Sequence, residues 1–529
     1  MFCILVSDKL GQAGLDRLAE AEDAVFDVKT GLSKEELLDI IPKYDALIVR
    51  SGTKVDEDVL KAGTNLKVVG RAGMGVDNID VRAATLAGII VMNTPGANSV
   101  ATAEQAMALM LGVARHLAEA HASLDAGEWK RSSFTGTELM GKTLGIIGFG
   151  RVGRLVSQRA LAFGMNILAF DPFVSEEIAA ELNVTLVDLD DLLAESDYIT
   201  LHTALLEETE EMINAGSIAQ MKDGVIIINA ARGKLINDND LAEALKSGKV
   251  RAAGIDVYRQ EPPAPDNPLL GLPNVLHTPH LGASTLEAQR IVATQIADQV
   301  LAALRGTDFP NTLNMPFRVG GKGFAEIRPF MDLAEKLGRL HKALAGGSIT
   351  HVEVEVQGDT VSELVRAIAA GILKGIVDNE EDFPINYINA PVVAAEHGIT
   401  ITQTKGIQGV DYPNLITCRV EWDGGSRTLS GVLFGGAEPR IVQVDDLQLD
   451  ARPEGIVLIT GNLDIPGVIG RVGTLMAQHN VNIGEWRLGR DKPGGQAISF
   501  INLDSEPLQE VLDELETIEG VTGVKLVKL

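Results

Sequence analysis

The fold is decided by the run Leu144-Gly145-Ile146-Ile147-Gly148-Phe149-Gly150-Arg151-Val152-Gly153. Its apolar first half predicts a buried strand, and its second half is a G-x-G-x-x-G turn that opens a helix predicted over 154–162. Glycines with this spacing allow the backbone to approach a pyrophosphate, which then lies at the helix N-terminus. The alternative interpretation is a tight turn between a strand and a helix that binds nothing.

An acidic residue favours the nucleotide interpretation. Asp171 lies 18 residues after Gly153 (171 − 153) and directly follows the next predicted strand, at 167–170. A carboxylate in this place hydrogen-bonds the ribose hydroxyls of NAD and repels the 2′-phosphate of NADP. The sequence therefore predicts an NAD site formed by Gly148, Gly150, Gly153 and Asp171.

Short β-branched runs alternate with helical segments up to about residue 310, which predicts parallel, doubly wound sheets. One set of strands ends near residue 98, and a second set begins at 143. Between them, residues 99–126 are predicted to form one long helix with Ser99 as its N-cap. A second long helix is predicted over 284–305, opened by Ser284 and ended by Gly306. Two such helices predict connectors between two domains, with the active-site cleft between the domains.

The composition changes after residue 315, where a helix near 326–345 and several strands are predicted. The final segment has the order β-α-β-β-α-β, which is typical of a ferredoxin-like unit. The predicted fold is α/β, with two doubly wound Rossmann-like domains, an intervening α+β domain and a C-terminal ferredoxin-like domain. The predicted boundaries are 1–98 with 284–314 for a substrate-binding domain, 99–283 for the NAD-binding domain, 315–452 for the intervening domain and 453–529 for the last domain.

The composition excludes some classes of partner. A formal net charge of -27 argues against nucleic acid and against an anionic membrane surface, because both need a basic footprint. Cys3 and Cys418 are too few for a disulfide framework and fit a reducing cytosol. No apolar stretch approaches the ~20 residues of a membrane span. We therefore expect a cytoplasmic protein with a small-molecule substrate and without a metal site.

Polar residues follow three predicted strands of the NAD-binding unit, in the segments 229–233, 256–263 and 278–282. The carboxyl ends of strands face the ligand crevice in a doubly wound sheet, so all three segments are expected beside the cofactor. They contain Arg232, Glu261 and His280 respectively.

These three residue types suit the oxidation of a 2-hydroxy acid. His280 can take the hydroxyl proton at neutral pH. Arg232 offers a planar fork for the substrate carboxylate, and a carboxylate such as Glu261 fixes the tautomer of a histidine and favours its charged form. Taken singly, each residue has an ordinary alternative: a surface or core histidine, a solvated loop glutamate or an arginine in a local ion pair. Their common placement after strands of the NAD-binding unit favours catalysis.

At these residues the sequence resembles the D-3-phosphoglycerate dehydrogenase family, within the D-2-hydroxyacid dehydrogenase superfamily. The resemblance covers the whole chain, and the two C-terminal domains are similar to those of the long form, which ends in an ACT domain. The matching segments are 49–51, 70–78, 93–99, 148–153, 229–233 and 278–285.

This resemblance implies NAD-dependent oxidation of 3-phospho-D-glycerate to 3-phosphohydroxypyruvate, the first step of L-serine biosynthesis. It implies the catalytic roles given above for Arg232, Glu261 and His280. The residues implied to contact NAD, besides the glycines, are Met74, Arg151, Val152, Asp171, Thr203, Ala230, Arg232, Asp256, His280 and Gly282. The residues implied to contact substrate are Arg50, Ser51, Asn98, Ser99 and Arg232.

The C-terminal unit is also similar to ACT ligand loops at 464–470 and 481–483. The resemblance implies that Asp464 binds the ammonium group and Asn482 the carboxylate of an L-serine effector, at a two-fold interface in a homodimer or homotetramer. Alternatively, this domain only joins the subunits. Two other functions remain open: a dehydrogenase for glyoxylate, hydroxypyruvate or another D-2-hydroxy acid, and a non-enzymatic NAD-sensing scaffold. The long C-terminal extension argues against the first, and the intact triad argues against the second.

Overall fold

The computed structural model describes residues 1–318, 323–378, 383–406 and 412–529, and these residues form four sheets. The first sheet has five parallel strands in the order β2-β1-β3-β4-β5. Its elements are β1 (Phe2–Val6), α1 (Gln12–Ala19), β2 (Ala24–Val28), α2 (Lys34–Ile40), β3 (Ala46–Val49), α3 (Glu57–Ala62), β4 (Val68–Arg71), α4 (Val81–Leu86) and β5 (Ile90–Met92). Strand β3 is buried at every position, as expected for an apolar strand covered on both faces.

The second sheet has seven parallel strands in the order β12-β11-β10-β9-β6-β7-β8. Its elements are β6 (Thr143–Ile147), α7 (Arg151–Ala162), β7 (Asn166–Phe170), α8 (Glu176–Glu181), β8 (Thr185–Leu186), α9 (Leu189–Glu195), β9 (Tyr198–Leu201), α10 (Ala215–Gln220), β10 (Val225–Asn229), α11 (Asp238–Ser247), β11 (Val250–Ile255) and β12 (Val275–His277). The strand order reverses beside β6, so the glycine turn after β6 lies at the crevice where such sheets bind ligands.

The single helix predicted over 99–126 is wrong. The chain instead forms α5 (Ser99–Ala114) and α6 (Leu117–Asp125), because His116 has a left-handed backbone with φ +52. A left-handed residue cannot continue a right-handed helix. No glycine or proline marks this break in the sequence.

The predicted N-cap of the first long helix, Ser99, and the predicted opening of the second at Ser284 are also wrong. Asn98 occupies the cap position of α5, and Ser99 is its first residue. The second connector, α12 (Leu286–Arg305), is capped by Thr285, whose Oγ1 accepts the Ala288 N–H at 3.2 Å. Asn98 and Ser99, like Ser284 and Thr285, are adjacent residues of types that commonly cap helices, so residue type alone does not locate the cap. The predicted end of α12 at Gly306, with φ +65, is confirmed.

The third sheet is mixed, in the order β14-β13-β15-β16-β17-β18, and the fourth is antiparallel, in the order β20-β21-β19-β22. The elements of the third are α13 (Phe324–Leu344), β13 (Ile349–Gln357), α14 (Val365–Val377), α15 (Ala390–Glu396), β14 (Thr400–Lys405), β15 (Leu415–Trp422), β16 (Gly425–Phe434), β17 (Glu438–Val444) and β18 (Leu447–Ala451). Those of the fourth are β19 (Ile456–Leu463), α16 (Val468–Gln478), β20 (Ile483–Arg490), β21 (Gln496–Leu503), α17 (Gln509–Glu516) and β22 (Val521–Lys528). The predicted fold class is confirmed, including the ferredoxin-like strand order of the last unit.

Two asparagines before α15 hold the third sheet's domain against the first. Asn386 Nδ2 donates to the carbonyl of Gly88 at 2.7 Å, and Asn389 Nδ2 to that of Leu86 at 3.4 Å. The asparagines also fix each other, because the Asn386 N–H donates to Asn389 Oδ1 at 2.8 Å. They therefore satisfy carbonyl groups at the C-terminal end of α4, which would otherwise lack helical partners.

We expect Gly88→Ala to destabilise the protein more than Gly31→Ala. Both glycines have positive φ, +69 and +75, so each alanine carries a backbone cost of about 1–2 kcal/mol. Only at Gly88 would the new Cβ lie 2.7 Å from Asn386 Nδ2, since nothing lies within 4 Å at Gly31. Thermal unfolding should show the larger decrease in Tm for Gly88→Ala, and equal decreases would contradict the asparagine contact.

Candidate active site

The turn after β6 requires glycine at its first and last positions. Gly148 has φ +93, and a Cβ there would lie 2.6 Å from the carbonyl carbon of His202 and 2.7 Å from the Thr203 nitrogen. A Cβ at Gly153 would lie 2.2 Å from the Gly148 oxygen, which shows how closely α7 packs on the turn. Gly150 has nothing within 4 Å and faces open space. The turn therefore leaves room at Gly150 for a ligand to approach the backbone.

The surroundings of this turn fit a pyrophosphate and a ribose. Helix α7 has no acidic residue in its first turn, so its positive end is free to attract an anion. Asp171 accepts the Phe149 N–H at 2.8 Å and the Phe173 N–H at 2.9 Å, which brings its carboxylate to the turn. Within the described residues, the buried Nδ1 of His202 has no partner. These polar groups suit NAD.

Arg151 and Val152 open α7 beside the first domain. The Arg151 side chain donates to the Pro95 carbonyl at 2.9 Å and so bridges the two parallel domains. A cavity of about 570 Å³ lies here, and Ser99 is among its lining residues. Asn98 precedes it at the start of α5, and the buried Ser99 hydroxyl has no partner among the residues that the structure describes.

The structure brings His280 and Glu261 together as a hydrogen-bonded pair. His280 Nδ1 lies 2.6 Å from Glu261 Oε2, and Glu261 Oε1 accepts the Tyr258 N–H at 3.2 Å. Partial burial alone would raise the pKa of Glu261, but the hydrogen bond and charge of His280, the Tyr258 N–H and nearby Arg232 together lower it. The glutamate is therefore anionic, and His280 is held by Nδ1 with Nε2 directed away from the pair.

Asp256 supports the turn that carries His280. Its carboxylate is fully buried and accepts the N–H groups of Leu281 and Gly282, each at 2.8 Å, and the Thr278 hydroxyl. The His280 N–H donates to the Asp256 carbonyl at 2.8 Å. His280 has φ +53, an unfavourable left-handed backbone that the surrounding bonds must hold. Both carboxylate oxygens of Asp256 are therefore already hydrogen-bonded to this turn. Asp256 influences the cleft by holding the turn in place.

Arg232 follows β10 of the second sheet. Its side chain reaches across the cleft to the loop after β4 in the first domain. Its Nε donates to Asp77 at 2.9 Å and its Nη1 to the Ala231 carbonyl at 2.7 Å. A Cβ at Gly75 would lie 1.8 Å from Arg232 Nη2. The glycine therefore makes room for the guanidinium. Ala230, which precedes this segment, is buried.

Arg71 joins Arg232 and Arg50, both predicted to contact substrate, in a cluster of guanidinium groups; Arg71 itself was not among the predicted residues. Burial, and then the positive charges of Arg232 and Arg50, lower the pKa of Arg71 to about 10, so it remains charged at neutral pH. A Cβ at Gly73 would meet the Arg71 side chain. The buried Arg71 Nε has no partner within the described ranges. The signal in the sequence was an arginine placed directly at the end of β4.

The remaining predicted residues lie in the first domain and at the glycine turn. The Arg50 N–H donates to Asp8 at 2.6 Å, and Ser51 is exposed beside it. Met74 is exposed, and its carbonyl accepts a hydrogen bond from Asn93. Thr203 lies against the glycine turn, as described above.

The predicted effector residues Asp464 and Asn482 do not meet within one chain. Asp464 pairs with Arg490 at 2.6 Å, which lowers its pKa, and Asn482 donates to Asp504 at 2.6 Å. They flank opposite ends of β21, roughly 25 Å apart at the rise of a strand.

Among the described residues, no group of three or more histidine, cysteine or acidic side chains is arranged to hold a metal ion. None of their helices combines the length and apolar character that a membrane crossing requires.

Three family models match the chain. They are the D-isomer specific 2-hydroxyacid dehydrogenase NAD binding domain over 107–282, the D-3-phosphoglycerate dehydrogenase intervening domain over 326–445, and the ACT domain over 456–520.

Known proteins match as well. The chain is 44% identical to D-3-phosphoglycerate dehydrogenase of Archaeoglobus fulgidus, over 99% of this chain and all of the relative. It is 42% identical to that of Methanocaldococcus jannaschii, over the full length of both. A crystal structure of Aquifex aeolicus D-lactate dehydrogenase with NAD and lactic acid is 28% identical with a TM-score of 0.53, over 57% of this chain and 96% of the other.

An NAD-binding domain of the D-isomer-specific type, joined to a second parallel domain across a cleft, defines the class: the chain is an NAD-dependent dehydrogenase of the D-2-hydroxyacid type. Relatives that match along the whole chain, intervening and ACT domains included, narrow this class. The chain belongs to the D-3-phosphoglycerate dehydrogenase family. The predictions of an oxidoreductase and of NAD as its cofactor are confirmed.

We expect Gly148→Ala to weaken NAD binding by at least about tenfold, since the new Cβ strikes the backbone after β9 and displaces the turn. Gly224→Ala is the matched control, because Gly224 also has positive φ, +78, but has nothing within 4 Å. Fluorescence titration with NAD measures both variants. Unchanged affinity in Gly148→Ala would show that the turn does not carry the nucleotide.

Proposed function

We propose that this enzyme oxidises 3-phospho-D-glycerate to 3-phosphohydroxypyruvate with NAD, at the start of L-serine biosynthesis. The observation that carries the proposal is the combination of the His280–Glu261 pair with the guanidinium groups of Arg50, Arg71 and Arg232. The charge of Arg232 also contributes to the lowered pKa of Glu261, which supports placing the pair and the cluster in one site. The curated relatives, which carry the same enzyme name over the full chain, support this substrate.

Each residue has a role in this reaction. His280 takes the proton of the substrate hydroxyl through Nε2, while Glu261 holds the ring and stabilises the imidazolium that forms. Arg232 binds the substrate carboxylate. Bound NAD supplies the hydride acceptor.

The guanidinium cluster favours a phosphorylated substrate. Phosphoglycerate carries a carboxylate at one end and a phosphate at the other, whereas lactate and glyoxylate have one anionic group. Arg232 binds the carboxylate, and Arg50 and Arg71 are then available to bind the phosphate. Its further polar partners are Ser51, Asn98 and Ser99. A buried arginine that stays charged, such as Arg71, is best explained by a role in binding the substrate phosphate.

We expect NADH formation from 3-phosphoglycerate with NAD and little with NADP, because Asp171 repels the 2′-phosphate. His280→Ala should lower kcat by about 100-fold or more while the Kd for NAD changes little. Absorbance at 340 nm, followed with 3-phosphoglycerate, glycerate and lactate and with NAD or NADP, measures the turnover of wild type and of His280→Ala. Titration with NAD measures the Kd of both. Faster turnover of glycerate or lactate would contradict the phosphate assignment, and loss of NAD binding in His280→Ala would contradict the role of His280.

We also propose that the enzyme is a homodimer or homotetramer with L-serine as an effector. No residue of α6 is buried within the chain, and Leu117, Leu124 and Trp129 are 58%, 58% and 82% exposed, which favours a subunit interface here. Asp464 and Asn482 are far apart in one chain, so an effector site that uses both requires two copies of the ACT domain.

Serine titration tests the effector proposal. Binding of serine, measured by calorimetry on the full-length enzyme, should weaken in Asp464→Ala and in Asn482→Ala, because each removes a polar partner. If millimolar serine neither binds nor slows the enzyme, these residues are structural.

We also propose the domain boundaries of the chain and a cytoplasmic location for the protein. We propose residues 1–98 with 284–314 as the substrate-binding domain, 99–283 as the NAD-binding domain, 315–452 as the intervening domain and 453–529 as the ACT domain. The cysteines Cys3 and Cys418 are free thiols, which supports a reducing, cytoplasmic setting.

A further inference from the structure

The carboxylate of Asp77 lies on the guanidinium of Arg232, with Asp77 Oδ2 2.9 Å from Arg232 Nε. Asp77 belongs to the loop between β4 and α4 of the first sheet, whereas Arg232 follows β10 of the second. The ion pair therefore spans the cleft between the two parallel domains.

The loop that carries Asp77 is fixed to its own domain. Asn78 Nδ2 donates to the carbonyls of Arg50 at 2.8 Å and Thr53 at 2.6 Å. The Val55 N–H in turn donates to the Asn78 carbonyl at 2.8 Å. Asp77 thus projects from an anchored loop, and its carboxylate contacts the Arg232 side chain.

The contact leaves most of the guanidinium for another anion. Asp77 takes the Nε donor, and the Ala231 carbonyl takes one Nη1 donor. A guanidinium has five N–H donors, so three remain after these two bonds. They lie on the Nη atoms, which form the end of the fork that binds a carboxylate with two parallel bonds.

We propose that Asp77 is a positioning residue that orients Arg232 across the cleft for the carboxylate of the substrate. This inference rests on the proposed function for its substrate. A long arginine side chain has many rotamers, and a carboxylate on Nε selects the one whose Nη end faces the cleft.

If Asp77 acted only through its negative charge, it would weaken the binding of an anionic substrate. Arg50, Arg71 and Arg232 give the cleft a positive field that attracts an anionic substrate, and Asp77 weakens this field. A carboxylate that merely occupied Arg232 until substrate displaced it would also oppose binding. In either case the loss of Asp77 would lower KM, whereas the loss of an orienting residue lowers kcat/KM.

The test compares Asp77→Ala with Asp77→Asn in the full-length enzyme. The Asn amide oxygen can still accept from Nε, so we expect kcat/KM for 3-phosphoglycerate to decrease roughly tenfold in Asp77→Ala and to stay within about threefold of wild type in Asp77→Asn. The Kd for NAD should not change. Asp58→Asn is the matched control, an exposed carboxylate of the same domain that pairs with Lys34.

A double-mutant cycle separates orientation from an independent effect. Against the residual turnover of Arg232→Ala, Asp77→Ala should cause no further loss, because the residue that it positions is absent. A full additional loss in that background, or a lower KM in both Asp77 variants, would overturn the proposal.

Failure of the proposed function is distinguishable from failure of this inference. If wild-type enzyme does not oxidise 3-phosphoglycerate, the proposed function fails. The same variants are then compared on the 2-hydroxy acid that the enzyme does oxidise, since every such substrate carries the carboxylate that Arg232 binds.

Discussion

The active site depends on the buried carboxylate of Asp256. It lies directly after β11 and holds the backbone of residues 281 and 282, while the Asp256 carbonyl holds the His280 N–H. These bonds stabilise His280 in a left-handed conformation that an isolated chain rarely adopts. The orientation of His280 toward Glu261, on which the proposed proton transfer depends, follows from this one anchored turn.

The active site also depends on residues from two domains, which meet at the cleft between them. The NAD-binding sheet carries His280, Glu261 and Arg232 after three neighbouring strands, whereas Arg50, Arg71 and Asp77 belong to the first sheet. The protein is strongly acidic overall, with a net charge of -27, yet it gathers three guanidinium groups at the cleft. Local placement of cations, and not net charge, therefore makes the cleft suitable for an anion.

Much of this arrangement could be predicted from the sequence. The glycine turn, Asp171 and the polar residues at strand ends follow simple rules, because parallel strands bring their carboxyl ends to a common crevice. Arg71 and Asp77 were missed, since their importance depends on contacts between residues far apart in sequence, such as Asp77 with Arg232. The break at His116 was missed because no glycine or proline marks it. The separation of Asp464 and Asn482 likewise depends on strand register, which the residue types alone do not define.

The central claim is that His280, held by Glu261, and Arg232, which both follow strands of the NAD-binding sheet, act on the same substrate molecule. The most direct measurement is a crystal structure of the full-length enzyme with NAD and 3-phosphoglycerate. The substrate hydroxyl should lie within about 3 Å of His280 Nε2, and the substrate carboxylate should lie on the Nη atoms of Arg232. A substrate whose phosphate occupied Arg232, or whose hydroxyl lay away from His280, would contradict this account.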